Sequence, residues 1–167
     1  MGLAWERKQY QKVRDWLHML IKRRGQSKQA IVDMVKLINE TYLPTLQGHR
    51  DETFTFLQTI RDVSEGKMTL EREYAVTTKR LVEMLEQDGK IDEACKIIQE
   101  IQIETYGSMQ NKEKVDFILY QMKLVLQRQD WIRLLFLSKK INEKSISEKG
   151  LEASKVLFYK FMVRYYV

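Results

Sequence analysis

From Val115 to Leu126 the chain carries two apolar rows on one stretch of helical spacing. Val115, Ile118, Leu119, Met122 and Leu126 recur at i, i+3, i+4, i+7 and i+11, and Phe117, Tyr120 and Leu124 form a second row. A helix that is apolar on two sides needs a neighbour on each. Just upstream, Ile91, Ala94, Cys95, Ile98 and Ile101 keep close to the same period, with Gly89 before them and Asp92 and Glu93 in the favourable first turn. Gly89 to Asn142 therefore reads as two helix-turn-helix units, hinged at Glu104-Thr105-Tyr106-Gly107-Ser108-Met109. Helix pairs that must be covered on both sides stack into arrays, each repeat burying its faces against the repeats before and after it.

The rest of the chain repeats the pattern. Tyr10, Val13, Leu17, Leu20 and Ile21 predict a helix that ends in Lys22-Arg23-Arg24 and Gly25, a sequence suited to a helix carboxyl end. Ile31, Met34, Val35, Ile38 and Tyr42 predict a second, stopped by Pro44, and Phe54, Phe56, Leu57, Ile60 and Val63 a third, closed by Gly66. A fourth runs from about Leu70 through Tyr74, Thr77, Leu81 and Leu85 to Asp88-Gly89. Beyond the two hinged units, Trp131, Leu134, Leu137 and Ile141 continue the series, and Ser145 with Glu148 predicts a capping box for a last, largely apolar helix from Leu151 to Tyr166. Corresponding helix starts at Gln9-Tyr10, His49-Arg50, Lys90-Ile91 and Asp130-Trp131 lie about 40 residues apart, more than the roughly 34 of a tetratricopeptide repeat. The expectation is an all-α, right-handed superhelical solenoid of about four helical hairpins, spanning residues 1–167 as one domain. Aromatic side chains on the last helix, and Leu3, Ala4 and Trp5 starting in mid-pattern, predict a piece of a longer protein.

Composition narrows the function. With 44% hydrophobic residues, one Pro and seven Gly, the chain reads as ordered, and no run approaches the ~18 uncharged apolar residues of a membrane span. The first residues form neither a signal peptide nor a myristoylation site, because Glu6 stands where the latter needs Ser or Thr. A soluble intracellular chain without a membrane partner is expected. Cys95 is the single cysteine, placed between Ala94 and Ile98 on an apolar stripe, and reads as a buried, inert thiol.

Catalytic groups do not converge. His18 and His49 have no partner at ligand spacing, Glu83, Glu86 and Gln87 read as a solvated face, and phosphate loops, nucleophile elbows and kinase signatures are missing. No enzyme, metal or cofactor is implied.

The net charge of +6 is local: Arg7, Lys8, Lys12, Arg14, Lys22, Arg23, Arg24 and Lys28 face only Glu6 and Asp15, while the remainder holds 21 charges of each sign. Trp5, Tyr10 and Trp16 interleave with these cations, which is one way to bind nucleic acid. Tyr10, however, shares its helical face with Val13, Leu17 and Leu20, so a solvated or protein-docking face is the preferred reading.

The hinge hexapeptide Glu104 to Met109, then Lys112-Glu113-Lys114-Val115-Asp116-Phe117-Ile118-Leu119, Gln121-Met122 and Ser138-Lys139-Lys140-Ile141-Asn142, resembles the lid subunits of the proteasome regulatory particle. The likeness is dense from Lys96 to Asn142, looser from Asp15 to Asp88 and poor beyond Glu143. It implies a non-catalytic scaffold of cytoplasm and nucleus, serving ubiquitin-dependent degradation and continuing into a carboxyl-terminal PCI winged-helix domain that this sequence does not contain. The implied partners are other lid subunits including the deubiquitinase, with the ATPase ring and core particle beyond them. On this likeness the hexapeptide is structural: Gly107 permits a left-handed turn, Ser108 caps the next helix and Tyr106 wedges between repeats. A related PCI subunit of the COP9 signalosome, or a peptide-binding helical adaptor, is the alternative.

Overall fold

The structure is a computed structural model that describes every residue except Met1, Arg24 and Gln47, together with the side chain of Glu143. Its α-helices are α1 (Gly2–Glu6), α2 (Tyr10–Lys22), α3 (Lys28–Leu37), α4 (Arg50–Ser64), α5 (Glu71–Gln87), α6 (Ile91–Gln99), α7 (Asn111–Gln127), α8 (Trp131–Ser138), α9 (Glu143–Ile146) and α10 (Glu152–Tyr166). No strand occurs among the described residues. All eight helices expected from the apolar periodicity are present, and the short α1 and α9 are additional.

Four helices begin with the same turn. Lys8, Gly48, Gly89 and Gln129 take left-handed φ values of 55°, 90°, 73° and 60°. The next residue, Gln9, His49, Lys90 or Asp130, is the N-cap of α2, α4, α6 or α8. At three of these turns the left-handed residue donates its N–H three residues back and the N-cap donates five back. The bonds are Lys8 to Trp5 (2.9 Å) and Gln9 to Ala4 (2.8 Å), Gly89 to Glu86 (3.0 Å) and Lys90 to Leu85 (2.9 Å), and Gln129 to Leu126 (3.0 Å) and Asp130 to Val125 (3.1 Å). This Schellman arrangement satisfies the last carbonyls of one helix while aiming the chain into the next. The spacing of about 40 residues thus has a backbone cause as well as an apolar one.

The chain divides into two compact units, Met1–Met84 and Leu85–Val167, the boundary falling within α5. In the first unit Trp5 anchors α1. Its ring stacks on Tyr42 (centroids 4.9 Å) and meets Tyr10 (5.2 Å) and Phe56 (5.1 Å), while Nε1 donates to Thr45 Oγ1 at 3.0 Å. These contacts tie α1, α2, α4 and the segment after α3 into one core.

That segment differs from expectation. The second helix was predicted to run to Tyr42 and stop at Pro44; instead α3 ends at Leu37, Ile38–Tyr42 forms a π-helical turn and Leu43–Leu46 a 3-10 turn. Pro44 has no N–H to offer, and its ring would crowd the carbonyl of Glu40 in a regular helix, so the chain widens ahead of it. The fully buried Asn39 sits in the widened turn. Its Nδ2 donates to Thr77 Oγ1 (3.0 Å), and its carbonyl accepts from Arg80 Nη1.

In the second unit α7 is buried on two sides, through Val115, Ile118, Leu119, Met122 and Leu126 and through Phe117 and Leu124, and it packs against α6, α8 and α10. Tyr120 of the second row stays half-buried. The last helix does not begin with Ser145 and Glu148. Asn142 instead caps α9, accepting from Lys144 N at 3.0 Å, and α10 starts after Leu151 with Glu152 Oε1 accepting from Gly150 N at 3.2 Å. The backbone N–H groups of Glu152 itself and of Gly150 hold the Glu152 carboxyl below its ordinary pKa.

The turns yield a prediction. A Cβ built on Gly89 meets nothing within 4 Å, so the Gly89→Ala cost is conformational, about 1 kcal/mol in a denaturant melt. Gln129→Gly at the equivalent turn is expected to raise the melting midpoint instead.

Candidate interaction surfaces

The hinge is assembled from three distant stretches of sequence. Ile103–Thr105 forms a 3-10 turn with Ile103 fully buried, and Met109 closes the hinge from below with only 9% exposure. Lys140, near the end of the α8 segment, pairs through Nζ with Glu104 Oε1 at 2.7 Å, and Lys114 on α7 reaches the Glu104 carbonyl at 3.5 Å. The hexapeptide, the string around Lys114 and the string around Lys140 therefore meet at Glu104.

Two details correct the sequence reading. Gly107 has no left-handed backbone, and α7 is capped by Gln110 rather than Ser108, the Gln110 N–H donating to Glu113 Oε2 at 3.0 Å. Ser108 and Gly107 are exposed, Tyr106 is half-buried, and Thr105 returns its hydroxyl to the Gln102 carbonyl at 2.8 Å.

The deepest polar member of the hinge was not foreseen. Gln121 lies among the buried side chains of α7 and its Nε2 donates to the Ile98 and Ile101 carbonyls at 2.9 and 3.2 Å, satisfying the end of α6. The signal available was a lone amide inside an apolar run. Glu86, which the sequence places on a solvated face, is half-buried and partnered instead. It accepts from Tyr120 Oη (3.0 Å) and Gln127 Nε2 (3.0 Å) and pairs with Lys123 Nζ (2.6 Å). Burial alone pushes its carboxyl up, but the hydrogen bonds from Lys123, Gln127 and Tyr120 and the Lys123 charge outweigh this and hold its pKa below the ordinary value. Cys95 is fully buried, and burial raises its thiol pKa, as an inert core sulfur requires.

The basic residues separate into two groups. Arg7, Lys8, Lys12, Lys22, Arg23 and Lys28 are exposed, Lys12 and Lys22 on the outward face of α2 with Met19 between them at 57% exposure. Arg14 turns inward, its guanidinium 5.1 Å from the Phe56 ring centroid and 2.6 Å from Glu52 Oε2. Arg24 lies outside the described residues. The aromatic side chains that would stack on bases are engaged elsewhere, Trp5 buried and Tyr10 edge-on to both Trp5 and Phe56. The surface has charge without stacking platforms.

At the other end α10 buries Phe161 but exposes Val156, Leu157, Tyr159, Val163 and Tyr166, several of which line an open groove of about 640 Å³. Among the described residues no cluster of His, Cys, Asp and Glu is placed to hold a metal ion, and no helix is long and apolar enough to cross a membrane.

The sequence profile of the PSMD12/CSN4 amino-terminal family matches residues 1–167. The chain belongs to that family. The PSMD12/CSN4 match continues through α10, further than the resembling strings reach. Similar proteins include the 26S proteasome regulatory subunit RPN5 of Saccharomyces cerevisiae, 36% identical over 164 residues, which covers 98% of this chain and 37% of that one. The 26S proteasome non-ATPase regulatory subunit 12 of Dictyostelium discoideum is 34% identical over 164 residues, covering 98% and 36%. Homolog A of the same subunit in Arabidopsis thaliana is 33% identical over 193 residues, covering 99% and 42%. The chain thus spans between about a third and two fifths of the length of these PSMD12-type relatives.

Two measurements test the polar joints of this PSMD12/CSN4 domain. Gln121→Leu keeps the side chain's bulk but strands two helix-terminal carbonyls, and is expected to cost about 1–3 kcal/mol in a chemical melt. The lowered Glu86 pKa means that its contribution is present above the unfolded carboxyl value and fades as pH falls through the folded one. Glu86→Gln should therefore be less stable than the parent at neutral pH, the gap narrowing in melts taken below about pH 4.5.

Proposed function

We propose that this chain is the amino-terminal helical-repeat part of a non-catalytic scaffold in the lid of the 26S proteasome regulatory particle, serving ubiquitin-dependent protein degradation. The observation that carries the reading is similarity over nearly the whole chain to named regulatory subunits of that particle, 33–36% identical. The interior supports it: apolar bulk is spent on helix packing, and the polar groups brought together at Glu104, Gln121 and Glu86 join elements instead of forming a reactive centre. The family description also names CSN4, which keeps a COP9 signalosome subunit as the second reading; the relatives named above favour the proteasome.

On this reading the partners are other lid subunits, the deubiquitinase among them, with the ATPase ring and core particle close by, in cytoplasm and nucleus. The apolar outer side of α10 is covered by a further helical layer of a longer subunit that ends in a PCI winged-helix domain. The exposed cations of α2 and its flanks meet an acidic protein surface, since they are positioned to steer a partner and have no aromatic platform for bases.

Capture of the full-length subunit from lysate, followed by mass spectrometry, tests this: lid and ATPase proteins are expected, and recovery of signalosome proteins in their place would overturn it. Reversing Arg7, Lys8, Lys12 and Lys22 to Glu should lower the melt only slightly, through the lost cation at the carboxyl end of α2, because all four side chains are exposed. It should slow association with the isolated lid about tenfold or more at low salt, the difference shrinking toward ~0.15 M, where charges beyond about 8 Å are screened.

A further inference from the structure

Between α6 and α8 a small cavity of about 190 Å³ opens to solvent, floored by Ile101 and Leu137 and walled by Gln99, Arg133, Phe136 and Lys140. Its charged groups, Arg133 and Lys140, are both cations. Gln99 Oε1 is occupied by Arg133 Nη1, while Gln99 Nε2 is buried with no partner among the described residues. Arg133 uses Nε on Asp130 Oδ2 (3.3 Å), which leaves Nη2 without a partner among the described residues. Lys140 uses one of its three N–H bonds on Glu104 and sits 5.4 Å from the Phe136 ring centroid. Gln121 also lines the cavity, its Nε2 committed to the Ile98 and Ile101 carbonyls. No carboxylate lines the cavity; Asp130 and Glu104 each pair with one of the two cations.

Apolar surface continues past the cavity. Phe136 is 63% exposed, Ile132 one turn earlier is 84% exposed, and Trp131 is 43% exposed. Ile132 and Phe136 are i, i+4 neighbours and form one stripe along α8. Burial does not account for these side chains: the buried side of α8 is formed by Leu134, Leu137 and Ser138.

We propose that this face of α8 is a docking site for an acidic peptide segment of another polypeptide, which seats one apolar side chain in the cavity and sets carboxylates on Gln99, Arg133 and Lys140. Chemistry fixes the ligand class: a wall whose charged groups are both cations, with the amide N–H of Gln99 beside them, favours oxygen acceptors carrying negative charge. Size fixes the scale, because small-molecule and cofactor pockets run to about 300–1,000 Å³ and this one has room for a single side chain. The stripe from Phe136 to Ile132 fixes the length, since a free amino acid would leave it uncovered. The site is separate from the basic face around α2 and does not depend on the proteasomal assignment.

The probe is a blocked Glu-Glu-Phe-Glu-Glu peptide titrated into the isotope-labelled chain, with Glu-Glu-Ala-Glu-Glu and Lys-Lys-Phe-Lys-Lys as controls, read by amide chemical shifts. Shifts are expected at Gln99, Ile101 and along 131–140 with the first peptide, reduced at least about tenfold in affinity with the second and absent with the third. Phe136→Ala and Arg133→Gln, whose side chains are exposed and whose melts should match the parent, are expected to abolish them. The proposal is overturned if the lysine peptide binds equally, if the shifts fall on the cations of 7–28 alone, if either variant binds like the parent, or if the response follows self-association of the chain.

Discussion

The second unit depends on α7 having no solvent side to spare. Its buried residues come from almost every position between Val115 and Leu126, so α6, α8 and α10 each cover part of it. Covering a helix all round removes more apolar surface from water than a hairpin can, and it obliges the neighbours to be apolar toward α7 as well. Ala94, Cys95 and Ile98 on α6, Leu134 and Leu137 on α8 and Phe161 on α10 meet that demand. The thiol of Cys95 is one consequence. It sits where a small apolar atom is needed and a charged thiolate would be costly, so packing accounts for the residue without redox or metal chemistry.

Most of this was legible because helical periodicity is a local property of sequence. What escaped notice was set by the backbone or by distant partners. Gly48 and Gly89 mark left-handed turns openly, whereas Lys8 and Gln129 adopt the same conformation at equivalent positions with no sequence sign beyond the repeat interval itself. The π turn at Ile38–Tyr42 follows from Pro44 lying ahead of it, and its stability rests on Thr77 and Arg80, nearly 40 residues away. Capping was misassigned for a related reason. Ser108 and Ser145 have the right side chains, but the helices begin later, where Gln110 with Glu113 and Gly150 with Glu152 supply the same bonds by other means.

The basic amino-terminal surface shows how charge and aromatic content mislead when read together. Trp5, Tyr10, Tyr42 and Phe56 form one edge-and-face cluster, with Arg14 lying on Phe56 and paired to Glu52. The rings hold α1, α2 and α4 together, and Arg14, drawn into the cluster, contributes to that packing. Arg7, Lys8, Lys12, Lys22, Arg23 and Lys28 stay exposed. Their effect is long-ranged and sensitive to salt, suited to guiding a partner rather than to gripping it.

Hydrophobic burial has no direction, so an array of apolar helices held by burial alone leaves each helix able to rotate or slide against the next. Here directional bonds sit at the places where such slippage would begin. Gln121 fixes α7 against the end of α6, Asp116 accepts from Ser154 at 2.8 Å to fix α10 against α7, and Asn111 donates to the Ser145 carbonyl at 3.0 Å to hold α9. Each joins residues that are about 20 or more positions apart, and each would be left buried or half-buried without its partner if the register shifted. Glu104 serves the hinge in the same way, taking a cation from α7 and another from the end of α8. The scattered polar residues therefore fix the register of the helices as much as the apolar rows fix their packing.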